Sequence, residues 1–254
     1  LKLAFIFAGK QSIKKLAMRS KLSSLALSIM LVMMSMAAGA HTMWIEIKGN
    51  GKIGEAQDVR VFFGDYSWGN PTKTAKWYSD IAEYSLILTA PDGTTTELQD
   101  RAKDSAYYAS SFVPKQAGVY KVAFSHPVKD VYKDKKLTYA AAAYVQVGKA
   151  KDKSVTLNEG KFSLVWKDAG QKRQVVYMED GQPKANVSLS LVKEGEKDKN
   201  YSVSTDSKGQ LVFPKELKGN YLLELTDSEK VNKTEFNGKE YEFDYKEFTY
   251  QISL

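Results

Sequence analysis

The residues best suited to chemistry in this chain are also its scarcest. Two histidines and no cysteine occur in 254 residues. Without cysteine there is no thiolate nucleophile, no thiolate metal site and no disulfide. With two imidazoles, most zinc-hydrolase and Ser-His-Asp arrangements lack parts. The histidines are His41, in "AAGAHTMWIE", and His126, in "VAFSHPV". What His41 can do depends on where the chain is cut.

Residues 1–40 contain Lys2, Lys10, Lys14, Lys15, Arg19 and Lys21, with no acidic residue. An apolar run, "LSSLALSIMLVMMSMAAGA", follows the last of these cations. A basic start, an apolar core and a small-x-small ending make a secretory signal peptide. Ala38 and Ala40 fit its −3 and −1 positions, which predicts a cut before His41 and a periplasmic location. The run is short and Ser-interrupted for a span of roughly 20 apolar residues; an uncleaved N-terminal anchor is the competing reading. Met18 begins a segment of normal signal length, so 1–17 reads as a start-site over-call. The six leader cations account for most of the +7 net charge. The mature chain is then close to neutral, and charge points to no nucleic-acid partner.

Cleavage gives His41 a second nitrogen. A free α-amine and an imidazole on one residue can chelate one metal through the amine and Nδ1. The amine has a pKa near 8, so a metal can displace its proton at neutral pH. Such nitrogens suit Ni, Co, Cu and Zn. His126 closes the predicted strand Val119–Phe124, just before Pro127. It is a candidate third nitrogen if the N-terminal segment packs nearby; the plainer reading is a strand-end surface histidine.

The elements that must position these groups read as strands. "DVRVFFG", "EYSLILTAP", "YYASSFVP" and "GVYKVAFSHP" alternate apolar and polar residues between Gly, Pro and Asp. Asp92-Gly93 supplies a hairpin turn. "TYAAAAYVQVG" reads as a strand despite its alanines, with a helix as the alternative. The polar stretch at 149–154 predicts a linker between two domains, 41–148 and 155–254. Turn signals every 8–12 residues beyond it continue the pattern. The fold expected is all-β: two tandem β-sandwiches, the first immunoglobulin-like. In the second, "MEDGQPKANVSLSLV" and "STDSKGQLVFP" resemble a transthyretin-like or carboxypeptidase-regulatory sandwich.

"AHTMWIE" resembles the opening of mature DUF4198 proteins. "GEAQDVRVFFGD", "APDG", "AGVYKVAF" and the "FNGKEYEFDYKEFTYQISL" ending extend the resemblance over the mature chain. That family is described as periplasmic nickel- or cobalt-uptake accessory proteins. The resemblance maps His41 and Trp44 onto the opening His and Trp; Thr42 stands where an Asp is frequent.

Three functions follow. The first is capture of Ni, Co or Cu at His41, for transfer to a membrane transporter or outer-membrane receptor; this is carriage rather than catalysis. The second is a metal-free interaction or polysaccharide-associated module. The third is a copper histidine brace formed by His41 and His126 that oxidises polysaccharide. Trp68, Trp77 and Tyr78, in the loop "DYSWGNPTKTAKWYSD", could face sugars or anchor that loop. Trp44 reads as a packing residue, and Asp65 and Tyr66 as turn residues. Glu235, Glu240, Glu242, Asp244 and Glu247 alternate with lysines and read as a solvated strand face.

Overall fold

The computed structural model describes residues 41–99, 101–149, 153–156, 162–169, 172–197 and 199–254. At 153–156, 162–164, 166–169 and 172–173 only the backbone is described. The expected leader, 1–40, lies outside the described residues, as do residues 150–152 of the expected linker.

The chain is all-β. In order the strands are β1 (Thr42–Lys48), β2 (Gln57–Asp65), β3 (Asn70–Pro71), β4 (Ile87–Thr89), β5 (Thr95–Glu97), β6 (Ala102–Lys103), β7 (Tyr107–Phe112), β8 (Gly118–Tyr132), β9 (Lys135–Val147), β10 (Lys153–Thr156), β11 (Phe162–Ala169), β12 (Lys172–Glu179), β13 (Gln182–Pro183), β14 (Ser188–Lys193), β15 (Asn200–Ser204), β16 (Asn220–Phe236) and β17 (Lys239–Ser253). Helical structure among the described residues is limited to single 3-10 turns at Tyr66–Trp68 and Thr74–Lys76. The long aromatic loop thus holds short turns, as its Gly and Pro content favours.

Three sheets form. One has the order β1-β2-β7-β6, with β3 on β2; one has the order β10-β11-β12-β13; the largest runs β15-β14-β16-β17-β9-β8-β4-β5. Strands from both sides of the expected linker share this largest sheet, through the parallel pair β17–β9. His41–Leu254 forms one compact unit. The physical reason lies in β9. Its "YAAAAYV" stretch is buried on both faces: Tyr139, Ala141 and Ala143 join one core and Ala142 another. A strand packed on both sides needs no polar face, and small side chains let neighbouring elements approach closely.

The first core packs Met43 and Ile45 of β1 with Val59, Val61 and Phe63 of β2 against Val122 and Phe124 of β8. The second, on the opposite face of the large sheet, joins Val175 and Tyr177 of β12 with Leu191, Leu223 and Tyr250. A third, smaller core places Trp44 and Phe62 against Val192 and Leu222. The two sides of β1 therefore enter different cores, although both lie on the large sheet. β1 is the end strand of its own sheet, and it meets β9 and β17 along its unpaired edge. An edge carries unpaired backbone groups, so the opposing face must offer polar partners. Thr249 does so: its hydroxyl donates to the Met43 carbonyl at 2.6 Å.

Candidate functional site

β1 begins beside His41, and the pairing of Thr42 with Gly64 fixes its register on β2. His41 is exposed. Its ring lies 5.4 Å from that of Phe63, tilted by 39°. Phe63 is the hub of an aromatic group, with Trp77 at 5.9 Å, Tyr78 at 5.7 Å and Tyr139 at 6.1 Å. The imidazole is thereby held against an apolar support while remaining open to solvent.

His126 has other company. β8 runs through Pro127, with a register shift between Pro127 and Val131, so His126 lies within a strand rather than at its end. The expected strand-end surface position is corrected in this respect: its side chain is only 11 % exposed. A proline disturbs the ladder without stopping it where the strand can bulge. His126 Nε2 lies 3.4 Å from Asp80 Oδ2, close enough for charge pairing but without hydrogen-bond geometry. Asp80 is itself buried and accepts from the Lys129 N–H at 3.0 Å and from Ser79 Oγ at 3.2 Å. Burial alone would raise its pKa. The Lys129 N–H, its own backbone N–H and the His126 charge outweigh that and hold the carboxyl below its ordinary value.

Tyr139 is the cross-strand partner of His126 on one side and of Glu247 on the other. Glu247 and His126 are thus two strand spacings apart, about 10 Å. Glu247 departs from the solvated face expected for its acidic cluster, with only 5 % exposure. Of its cluster mates, Glu235 and Glu240 are exposed as expected, Glu240 pairing with Lys233, whereas Glu242 and Asp244 are half-buried, Asp244 lying near Lys136 and Lys246 with its Oδ1 buried. The difference is one of face as well as position, since Glu240, Glu242 and Asp244 alternate with Glu247 on β17. Glu247 and Thr249 share the face that receives β1.

Burial pushes the Glu247 carboxyl up to about 8, helped by the negative charge of Glu224. Thr42 is near enough to favour the ionised form. Even so, neither Glu247 Oε2 nor Thr42 Oγ1 makes a hydrogen bond. Glu224, on the neighbouring strand, is likewise pushed up to about 7 by burial and by Asp65. Asp65 otherwise serves as the expected turn residue, accepting from Ser67 N and Oγ.

The remaining aromatics divide. Trp44 is buried and donates Nε1 to Glu46 Oε1 at 3.2 Å. Trp77 anchors its loop, donating to the Thr72 carbonyl at 3.0 Å. Trp68 is 55 % exposed, with the Lys197 ammonium 3.6 Å from its ring centroid. Close by, Trp44, Glu46, Arg60, Tyr66, Tyr107 and Glu194 line a cavity of about 200 Å³. Met43 is buried in the core, pointing away from solvent.

Among the described residues no group of three or more His, Asp or Glu side chains is placed to hold a metal ion. Of the two predicted ligands, His41 offers an open imidazole and the backbone nitrogen that cleavage would free. His126 Nε2 is turned toward Asp80. No protein-family model, no curated protein and no solved structure matches the chain.

Proposed function

We propose that this is an exported, periplasmic protein that captures a transition metal ion, Ni, Co or Cu, at His41. The observation that carries this reading is an exposed imidazole, braced on Phe63, at the start of the first strand. Once the chain is cut before it, the same residue presents an α-amine. Amine and imidazole nitrogens from one residue make a compact, exchangeable site of the kind suited to carriage. The metal is cargo, to be passed to a membrane transporter or an outer-membrane receptor. The resemblance to DUF4198 proteins supports the same reading.

Calorimetric titration of the exported protein with Cu(II), Ni(II) and Co(II) tests it. One-to-one binding should weaken by at least roughly 100-fold in His41→Ala, beyond the effect of removing an outer-shell partner. His126→Ala should leave it nearly unchanged. Equal affinity in wild type and His41→Ala would overturn the proposal.

A second reading, a polysaccharide-associated module, rests on the cavity beside exposed Trp68. Its mixture of aromatic rings, carboxylates and Arg60 provides stacking surfaces together with donors and acceptors for hydroxyl groups. Loss of polysaccharide retention in Trp68→Ala and Tyr107→Ala would favour it.

A further inference from the structure

Glu247 presents a physical problem. A buried carboxyl is normally paired or kept protonated, because an uncompensated charge in the interior costs several kcal/mol. Glu247 is almost wholly buried and its Oε2 has no hydrogen-bond partner. The charged group acting on it is another carboxylate, Glu224. Thr42 Oγ1, buried in the same place, also lacks a partner. Thr42 and Glu247 thus face one spot below the start of β1.

The strand geometry directs main-chain groups of β1 toward that spot. The Thr249 hydroxyl meets the Met43 carbonyl, so β1 points its odd-numbered backbone groups away from β2 and toward β17. Backbone direction alternates along an extended strand, so the main-chain groups of His41 share the orientation of Met43. On β17, Glu247 precedes Thr249 by two residues on the same face. On β1, His41 precedes Met43 by two residues. Glu247 also acts electrostatically on Tyr78 and Tyr139, and both pack on the Phe63 ring that supports His41. Thr42, Tyr78 and Tyr139 therefore place the Glu247 carboxyl beneath the start of β1.

We infer that Glu247 is the docking partner of the mature amino terminus: cutting before His41 creates an ammonium that pairs with this buried carboxylate. In an uncut chain the nitrogen is a neutral amide and offers no charge. After the cut it is an ammonium at neutral pH, since its ordinary pKa is near 8. Glu247 is then a positioning residue for the His41 chelate. It tethers the amine while Phe63 supports the ring, until a metal displaces the amine's proton. The inference rests on cleavage before His41, but not on which metal binds or whether any does.

The test uses metal-free protein in a chelator. Processed protein, its N-terminus at His41 verified by intact mass, is compared with protein carrying Gly-Ser ahead of His41. Each is made with and without Glu247→Gln. The extension and Glu247→Gln should each lower Tm of the processed protein by about 4 °C or more, on the scale usual for domains of this size. In the extended protein Glu247→Gln should not lower Tm at all, because the carboxylate there has no cation to lose. The α-amine of the processed protein should also react with an acylating ester roughly tenfold more slowly than that of Glu247→Gln, the factor for about one unit of ion pairing. Equal Tm losses in the processed and extended forms, or equal acylation rates, would show Glu247 to be merely structural and overturn the inference. A mature terminus other than His41 would overturn it together with the metal proposal. Absence of metal binding with the Tm coupling intact would overturn the metal proposal alone.

Discussion

Asp80 and Glu247 are both buried carboxylates, and each lies beside one of the two histidine positions. Their titration is pushed in opposite directions. Two groups donate to Asp80, the Lys129 N–H and Ser79 Oγ, and the His126 ring lies 3.4 Å away. Its carboxyl is held low. Glu247 has Glu224 for a neighbour and an unpartnered Oε2, and its carboxyl is pushed up to about 8. Burial is common to both, so partners decide the sign. Asp80 belongs to a structural contact that ties the loop before β4 to β8. Glu247 is the proposed seat of the mature α-ammonium.

The largest effect expected is on metal affinity, the loss of roughly 100-fold in His41→Ala described above. The thermal coupling of Glu247→Gln to the N-terminal extension comes next. Asp80→Ala sharpens the contrast from the other side. It leaves the Lys129 N–H without its acceptor and His126 without its partner, and should destabilise the protein by about 1–3 kcal/mol in urea melts. That loss should be the same in processed and extended protein.

The pH dependence follows the direction of the Asp80 shift. A carboxyl held below its unfolded value of 3.8 contributes stability above that value. The contribution is lost as pH falls through the lowered folded value. Asp80→Asn should therefore flatten the acid limb of a stability profile below about pH 4, with little change in its slope near neutrality. An unchanged acid limb in Asp80→Asn would mean that Asp80 is not held by its donors as described. The smallest effect expected is Trp68→Ala, an exposed site, with a change within about 0.5 kcal/mol. A larger loss would mean that the Lys197 contact stabilises the fold.

Much of the fold was legible in the residues. Alternation marked β2 and β8, and Asp92-Gly93 gave the β4–β5 turn, with Gly93 at a φ of 87°. The strand reading of "TYAAAAYV" holds because both faces of β9 are covered. The 3.6-residue spacing of a surface helix is not what its burial needs. Some elements were harder to see. The β16–β17 hairpin extends well beyond "NYLLELTD", to a turn at Asn237-Gly238. Its distal half alternates on β17, through Tyr241, Phe243 and Tyr245, but is mostly polar on β16, so hydrophobic alternation fades on that strand, although the Asn-Gly pair was a usable turn signal.

The burial of Glu247 was not legible, for a related reason. Phe248, Tyr250 and Ile252 alternate as apolar residues, and Glu247, Thr249 and Gln251 between them read as a solvent face. That inference assumes the second face meets water. Here it meets the edge of a strand some two hundred residues earlier, and an edge requires polar partners. Periodicity tells which residues share a face but not what covers it. His126 was misplaced on similar grounds, because Pro127 reads as a strand end where the strand bulges and continues.

In the proposed function His41 binds metal through two nitrogens, one of which exists only after cleavage. The most direct measurement is Cu(II) affinity of the processed protein beside the same protein with its α-amine acetylated. Tight one-to-one binding is expected in the processed form and a loss of at least roughly tenfold in the acetylated form, a difference of about 1.4 kcal/mol. Equal affinity in the two forms would contradict it, since the amine would then contribute nothing to the site.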